Sequence, residues 1–411
     1  MRDTEEGKFT VKIISPDLGD LSIGNEDIHL FEMIEDIFSV CMVGKLMFFD
    51  RIGSIEQLPI TGNEVVTITY GENETTKTFI IYDFKKIHQG SSLTGSAMTM
   101  IEMYLVEPIH LTLTQHKYSI SWKDKKISVI VKDICKNMCS ITQFKNFEEP
   151  KEIIPYFYMA YWTPLEALKW LLKRSSGSIS GKSGYLLYSN TQGMNCTTIE
   201  TLFTNTKFEK DESTIAKYVF TDTDNVDSEN KILSYSIEPI NYQSLSYLSG
   251  GHKLGYDFET KSLLDLSYTY SEIISKYTMM GKKTLFQDIS SENSQITLEG
   301  DNDINILKNI AYGEFIKRYS KQFAVLMMVR GHDRRYAGMM IDIPWKSVSD
   351  TEVLHKLYEG KFLVKSITHQ FSSKTKPYFR QLIVAIKTGY TDADNKALHK
   401  ATLYNIVVPK K

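Results

Sequence analysis

Apolar and polar residues alternate in period two along two runs near the C-terminus. In Lys361 to Ile386 (KFLVKSITHQFSSKTKPYFRQLIVAI), Phe362, Val364, Ser366 and Thr368 alternate with Leu363, Lys365, Ile367 and His369. After a polar stretch from Ser372 to Pro377, Phe379, Gln381, Ile383 and Ala385 alternate with Tyr378, Arg380, Leu382, Val384 and Ile386. This pattern predicts a strand, a tight return and a second strand. A similar unit lies near the N-terminus. Thr78 to Phe84 (TFIIYDF) carries the same aromatic-aliphatic-aliphatic triplet, passes through HQGSSLTGS and returns as Ala97 to Leu105. A repeat about 280 residues apart is far longer than the period of a solenoid, which is about 20–50 residues. It points to two copies of one β domain with other material between them.

The remaining pattern divides the chain further. Residues 1–115 read as a first β-barrel: a strand at Val11 to Ile14, another at Leu46 to Phe49, and a cleanly alternating one at Glu64 to Tyr70 that turns through GENETTK. Residues 116–215 read as a small α/β domain. Ile127, Ile130, Val131, Ile134 and Met138 recur at helical spacing. A second helix is announced by Thr163-Pro164-Leu165-Glu166, a capping box with proline at the first helical position, with Leu165, Leu168 and Leu172 as its stripe. The stretch SSGSISGKSG reads as a solvated loop before a short strand at Tyr185 to Tyr188. Residues 216–250 and 321–390 together read as a second, discontinuous β-barrel, in which Phe323 to Val329, the turn GHDRRYAG and Met339 to Ile343 form a hairpin. Residues 251–320 are a mixed insertion ending in a helix with Ile304, Leu307, Ala311 and Phe315 on one face, and 391–411 a largely polar tail. The fold class expected is mainly β with α+β insertions: two duplicated antiparallel barrels plus two smaller α/β units.

Composition narrows the function classes. A formal net charge of −2 across 411 residues gives no long-range attraction to nucleic acid or to an anionic membrane. Apolar content of 42% supports packed cores. Four cysteines without framework spacing, and an N-terminal stretch with no apolar segment, lead us to expect a reduced, cytoplasmically made chain with no membrane insertion.

Candidate chemistry is sparse. Gly177 to Gly181 in SGSISGKSG leaves three residues where a phosphate loop needs four, and the loop follows a helix instead of a strand. Cys135 and Cys139 sit four apart on a predicted helix, with His110 and His116 the nearest histidines, in a strand and a loop; no second ligand pair has metal spacing, and a buried helix face is the commoner fate of free cysteine. Gly331, His332, Asp333, Arg334 and Arg335 form the densest polar cluster and are the candidate interface turn. Trp122, Trp162, Trp170 and Trp345 are scattered, which argues against a sugar-binding platform. No catalytic residues, cofactor or metal ligands are expected.

The order of segments resembles the baseplate hub proteins of contractile-tailed phages of the T-even type. Three stretches carry the likeness. They are Phe48-Phe49-Asp50 with Gly62-Asn63-Glu64-Val65-Val66-Thr67-Ile68; the Trp162 to Lys173 helix with Gly184 to Tyr188 and Gly193-Met194-Asn195; and Ala337 to Ile343 with Gly360 to Gln370. The 251–320 insertion and the tail depart from it. The resemblance implies a homotrimer in which three pairs of similar barrels form a ring, meeting a sixfold tail tube on one side and a threefold spike on the other. It implies a virion protein of the tail baseplate, contacts with the spike, the tube, tape-measure and wedge proteins, and phage DNA passing without specific binding. Two other readings stay open: the hub of a bacterial contractile injection system, and a tail-associated cell-wall hydrolase.

Overall fold

The computed structural model describes residues 9–16, 19–51, 53, 55, 60–62, 64–71, 73–90, 97–204, 215–220, 230–238, 251–257, 260–277, 296–298, 303–321, 323–343, 360–372 and 378–387. The predicted tail 391–411, most of the Ser372 to Pro377 turn, and Trp345 lie outside them.

The N-terminal lobe contains β1 (Phe9–Ser15), β2 (Gly19–Ile23), β3 (Ile28–Asp36), β4 (Val43–Asp50), β5 (Val65–Tyr70), β6 (Thr75–Gly90) and β7 (Ala97–Val106). A middle unit follows: α1 (Ile109–Thr114), β8 (Tyr118–Lys126), α2 (Ile127–Cys139), β9 (Asn146–Phe147), β10 (Ile153–Trp162), α3 (Pro164–Lys173), β11 (Tyr185–Asn190), β12 (Gly193–Thr198) and α4 (Ile199–Thr204). Then come β13 (Ala216–Lys217) and β14 (Ile232–Glu238). Within 251–320 lie β15 (Gly251–Asp257), β16 (Ser262–Tyr268), α5 (Tyr270–Lys276), β17 (Ile296–Leu298) and α6 (Ile304–Tyr319). The chain closes with β18 (Phe323–Arg330), β19 (Met340–Ile343), β20 (Gly360–Ser372) and β21 (Tyr378–Lys387). The fold is mainly β with α+β insertions, as expected from the sequence.

Both lobes belong to one 13-stranded sheet, in the order β14-β18-β21-β20-β3-β4-β7-β6-β5-β1-β2, with β13 and β19 branching off beside β20. The alternation in each strand sends one set of side chains into a core. Val11, Ile13, Phe31, Met33, Leu46, Val66, Phe79 and Met103 fill the N-terminal lobe, and Val325, Met327, Ile341, Phe362, Val364 and Ile383 the C-terminal one. Phe371 belongs to the N-terminal core although it sits on β20, where its ring stacks on Phe9 at 4.4 Å and on Phe379 at 4.0 Å.

The two hairpins read as repeats share one register. The strand before each hairpin pairs in the same register too: Val66 of β5 with Phe79, and Ile341 of β19 with Phe362. A bulge follows at the same place in both, between Ile81 and Asp83 and between Val364 and Ser366. From Asp83 the sheet continues through Tyr104 and Lys45 to Glu32; from Ser366 it continues through Val384 and Leu326 to Ser236. A second bulge also coincides, between Ile28 and Leu30 on β3 and between Ile232 and Ser234 on β14. Coincident bulges matter because each one shifts every later pairing by a residue. In this correspondence β3 matches β14, β4 matches β18, β7 matches β21 and β6 matches β20.

The middle unit packs α2 and α3 against the β8–β10 ribbon. The capping box forms as expected: Glu166 N–H donates to Thr163 Oγ1, and Thr163 N–H donates to the Glu166 carboxylate at 2.8 Å. Leu168, Leu171 and Leu172 are the buried leucines of α3, while Leu165 is only partly buried.

Three expectations need correction. Strands β18 and β19 do not form a hairpin: β18 pairs with β21 and β14, and β19 with β20 and β13. Their connection closes instead on buried partners described below. His110 lies on α1 and not on a strand. The SSGSISGKSG stretch is a solvated loop only in part: Ser178, Ile179 and Gly181 are exposed, but Ser175, Gly177 and Ser183 are buried.

Candidate assembly interface

The line where the two lobes meet is the β3–β20 seam. Strand β20 is long enough to serve both lobes. Its first residues, Gly360 to Leu363, pair with β19, and Ser366 to Phe371 pair with Asp36 to Phe31 of β3. Gln370 Nε2 donates to Glu32 Oε1 across the seam at 2.7 Å.

On the core side, the seam is closed by a chain of buried polar groups. Glu35, His369 and Gln381 are fully buried and Arg335 nearly so. Gln381 Nε2 donates to His369 Nδ1 at 3.0 Å, so the ring carries its proton on Nε2, which lies 2.6 Å from Glu35 Oε1. Glu35 also accepts the N–H groups of Thr191 and Ala337, each at 3.1 Å. Gln381 Oε1 accepts from Arg335 Nη1 at 2.7 Å. One carboxylate thus ties β3 to β20, to the β11–β12 turn and to the segment before β19. Each of these groups has its partners, which removes most of the penalty for burying it.

The sequence cluster Gly331 to Arg335 feeds this network. Gly331 N–H donates to Phe379 O at 2.8 Å, and a Cβ there would lie 2.1 Å from the Phe379 ring. His332 N–H donates to Gln381 Oε1 at 3.2 Å. Asp333 is buried and accepts from Asn73 N–H at 2.9 Å and from Asn73 Nδ2 at 2.7 Å, so the β5–β6 turn is clamped by a residue 260 positions away. Arg335 also donates to Arg330 O and, at 3.1 Å, to Asn230 Oδ1. Arg334 alone is exposed. The cluster therefore spans the two lobes of one chain.

The sequence reading missed β3 and the Glu35–His369 pair. The bulge after Ile28 breaks the period of two, and Glu35 places a carboxylate at an inward position, so the stretch IHLFEMIED does not alternate cleanly. The signal was the alternation of Phe31, Met33 and Glu35, which sets that carboxylate on the buried face.

The remaining candidates occupy structural positions. Donors of SGSISGKSG, together with Thr198 and Thr201, surround a carboxylate of the chain itself. Glu148 accepts from Ser180 N–H at 2.9 Å, Ser180 Oγ at 2.8 Å, Thr198 N–H at 3.0 Å, Thr198 Oγ1 at 2.7 Å and Thr201 Oγ1 at 2.7 Å. Burial opposes its charge, but the donors of Ser180, Thr201 and Thr198 outweigh burial and hold the carboxyl below its ordinary range. Cys41, Cys135, Cys139 and Cys196 are free and buried. Burial pushes the Cys41 and Cys139 thiols up to about 12, and Cys135 and Cys196 upward as well. No cluster of three metal-ligating side chains occurs among the described residues, and no helix among them is long and apolar enough to cross a membrane.

No known sequence family matches the chain, and no curated protein does. Solved structures do. A tail protein from Neisseria meningitidis MC58 superimposes with a TM-score of 0.60 at 11% identity, covering 92% of this chain and 96% of its own. The 43 kDa tail protein of prophage MuSo2 from Shewanella oneidensis gives 0.56 at 11% identity, covering 92% and 98%. The chain has the fold of a phage tail protein. A structure of the Francisella PdpA-VgrG complex shares this tail-protein fold at a TM-score of 0.52 and 12% identity, covering 93% of this chain and 58% of that one.

Proposed function

We propose that the chain is the central hub of a contractile-tail baseplate, a ring of three copies that adapts a sixfold tail tube to a threefold spike. One observation carries the reading: the two halves of the inner seam have counterparts left open at the chain's outer edges. By the register correspondence, β14 is the counterpart of β3. Residues 83–88 of β6 are the counterpart of the part of β20 on which β3 sits. Among the described residues, neither has a strand on that side. Repeating the inner seam head to tail seats β14 of one protomer on β6 of the next, a heterologous contact that closes into a ring. Three chains then supply six near-equivalent seams.

Exposure supports this. Phe31 and Ile367 are fully buried at the inner seam, whereas their counterparts Tyr235 and Phe84 are 41% and 37% exposed. Leu233 and Tyr82 lie exposed on the same edges. Unpaired strand edges lined with apolar side chains are covered or aggregate. In the ring, the register sets Ser236 against Ile87 and Ile237 against Lys86.

The face of the sheet away from the cores lines the channel in this arrangement. A row of Arg330, Arg380, Gln370, Glu32, Lys45, Tyr104 and Asp83 crosses it. Lys45 and Glu102 pair at 2.6 Å beside Tyr104. Mixed, partly paired charges suit DNA passing without specific binding better than a basic stripe. The reading places the protein in the virion tail, with spike, tube, tape-measure and wedge proteins as neighbours. It assigns assembly and not catalysis, with no cofactor. The hub of a bacterial injection system is the second reading, favoured by the likeness to the PdpA-VgrG structure, and it uses the same ring.

The test is a cysteine pair, Ile87→Cys with Ser236→Cys, the counterparts of Gln370 and Glu32, whose side chains touch. Paired strands bring such residues within disulfide range, and the buried native thiols give little background. Oxidation of the double variant yields a covalent trimer, while either single variant stays uncrosslinked. A trimer by mass that fails to crosslink overturns the seam; a monomer by mass overturns the ring.

A further inference from the structure

The β8–β10 ribbon has one face committed to the core and one with no partner among the described residues. Inward, Phe157 stacks on Trp122 at 5.6 Å and on Trp170 of α3 at 5.1 Å, and Ile154 and Met159 are buried beside it. Outward, Tyr156, Tyr158 and Tyr161 are 62%, 49% and 67% exposed. Tyr156 pairs across the ribbon with Lys123, and Tyr158 with Ser121. Tyr161 sits at a bulge between Ala160 and Trp162 with φ of 58°. A bulky residue in the left-handed region is strained. Here the strain directs the ring into solvent, with Lys117 5.3 Å from its centre.

The charge on the ribbon has one sign. Lys117, Lys123, Lys125 and Lys126 are opposed on the ribbon by Asp124 alone. Glu166 of α3 lies near Lys117, and Glu149 near Lys126. Lys123 and Lys125 are exposed and have no ion-pair partner among the described residues. Neither β8 nor β10 has a second strand beside it among those residues.

We propose that this ribbon is a docking site for an acidic, extended segment of a partner polypeptide, which adds as a strand along β8. From Tyr118 to Lys123, before the left-handed Asp124 (φ 50°), the open edge offers backbone N–H and C=O groups in the alternation another strand satisfies. The lysines select acidic side chains, and the tyrosines supply contact area at low entropy cost. Lysines on an edge also keep like chains apart, which disfavours a second copy as the occupant. That protective role alone leaves the exposed tyrosines and the strained Tyr161 without a reason. A nucleic acid would use the lysines and tyrosines but leave the strand edge unsatisfied. The inference goes beyond the ring and holds whether or not the chain trimerises.

The test uses the full chain and fluorescent ten-residue peptides of alternating Glu and Val, alternating Lys and Val, and an oligothymidine of similar charge. The acidic peptide binds at low salt, binding weakens as salt rises, and amide exchange slows over 118–123. Lys123→Glu with Lys125→Glu weakens binding by about tenfold or more, and Tyr158→Ser weakens it without changing the salt dependence. The basic peptide does not bind. Failure of the acidic peptide to bind, or equal binding by the charge-reversed variant, overturns the proposal. Binding of the oligothymidine in place of the acidic peptide overturns it in favour of a nucleic-acid surface.

Discussion

Removing the Glu35 carboxylate puts the seam under the most direct stress. In Glu35→Ala, three buried donors lose their acceptor together: Thr191 N–H, Ala337 N–H and His369 Nε2. A buried donor left without a partner costs about 1–3 kcal/mol, so the three sum to about 3–9 kcal/mol. Water entering the space left by the side chain recovers part of this. The expected loss is about 3–5 kcal/mol, in the lower half of that sum. Glu35→Gln retains an acceptor oxygen and costs less. The assay is urea unfolding followed by circular dichroism and by tyrosine and tryptophan fluorescence. Because Glu35 joins three parts of the chain, the alanine variant also loses coincidence between the two probes. A double-mutant cycle with His369→Ala gives a coupling of about 1–3 kcal/mol. A loss below about 1 kcal/mol in Glu35→Ala, with the probes still coincident, would refute the view that this network fastens the lobes.

Three further outcomes follow from named contacts. Gly71 has φ of +78° and a Cβ there would lie 2.8 Å from Asp333 Cβ, so Gly71→Ala costs about 2 kcal/mol in urea unfolding through backbone strain and the displaced Asn73–Asp333 clamp. Glu148 is held below the ordinary carboxylate range, so its contribution is full above about pH 4.3, its unfolded value. It is lost as pH falls through the lower folded value; Glu148→Gln lowers stability at neutral pH and flattens acid unfolding, read as thermal midpoints from pH 6 to 2. Burial lowers Lys317 to about 8, although Glu314 opposes the shift. The unfolded chain therefore keeps that proton to higher pH than the folded one, and stability attributable to Lys317 rises from pH 8 toward its unfolded value near 10.4. Lys317→Met removes this rise and is more stable than the parent at pH 7.

How far the sequence could be read depended on where the information lay. The hairpins at Thr78 to Leu105 and Lys361 to Ile386 were legible because period-two alternation is local. The capping box of α3 was legible for the same reason. Long-range pairing was not. Nothing in Phe323 to Val329 says that it pairs with β21 and β14 instead of Met339 to Ile343, and nothing in GHDRRYAG says that Asp333 meets Asn73. Glycine-rich SGSISGKSG did surround an anion, but the anion was the chain's own Glu148, thirty positions away and invisible to spacing. Strand β3 was hidden by its bulge and its buried carboxylate, the two features that make it the seam. The candidate turn was found by its charge density, and its partners emerged only with the fold.

In the proposed assembly, three copies of this chain close a ring through the outer edges of β6 and β14. Light scattering coupled to size-exclusion chromatography, over a wide range of concentration, tests it most directly. The expected result is a particle near three times 47.2 kDa that loses its trimeric mass when Phe84 and Tyr235 are both changed to Asp. A monomer at every concentration, or a trimer indifferent to those two substitutions, would contradict it.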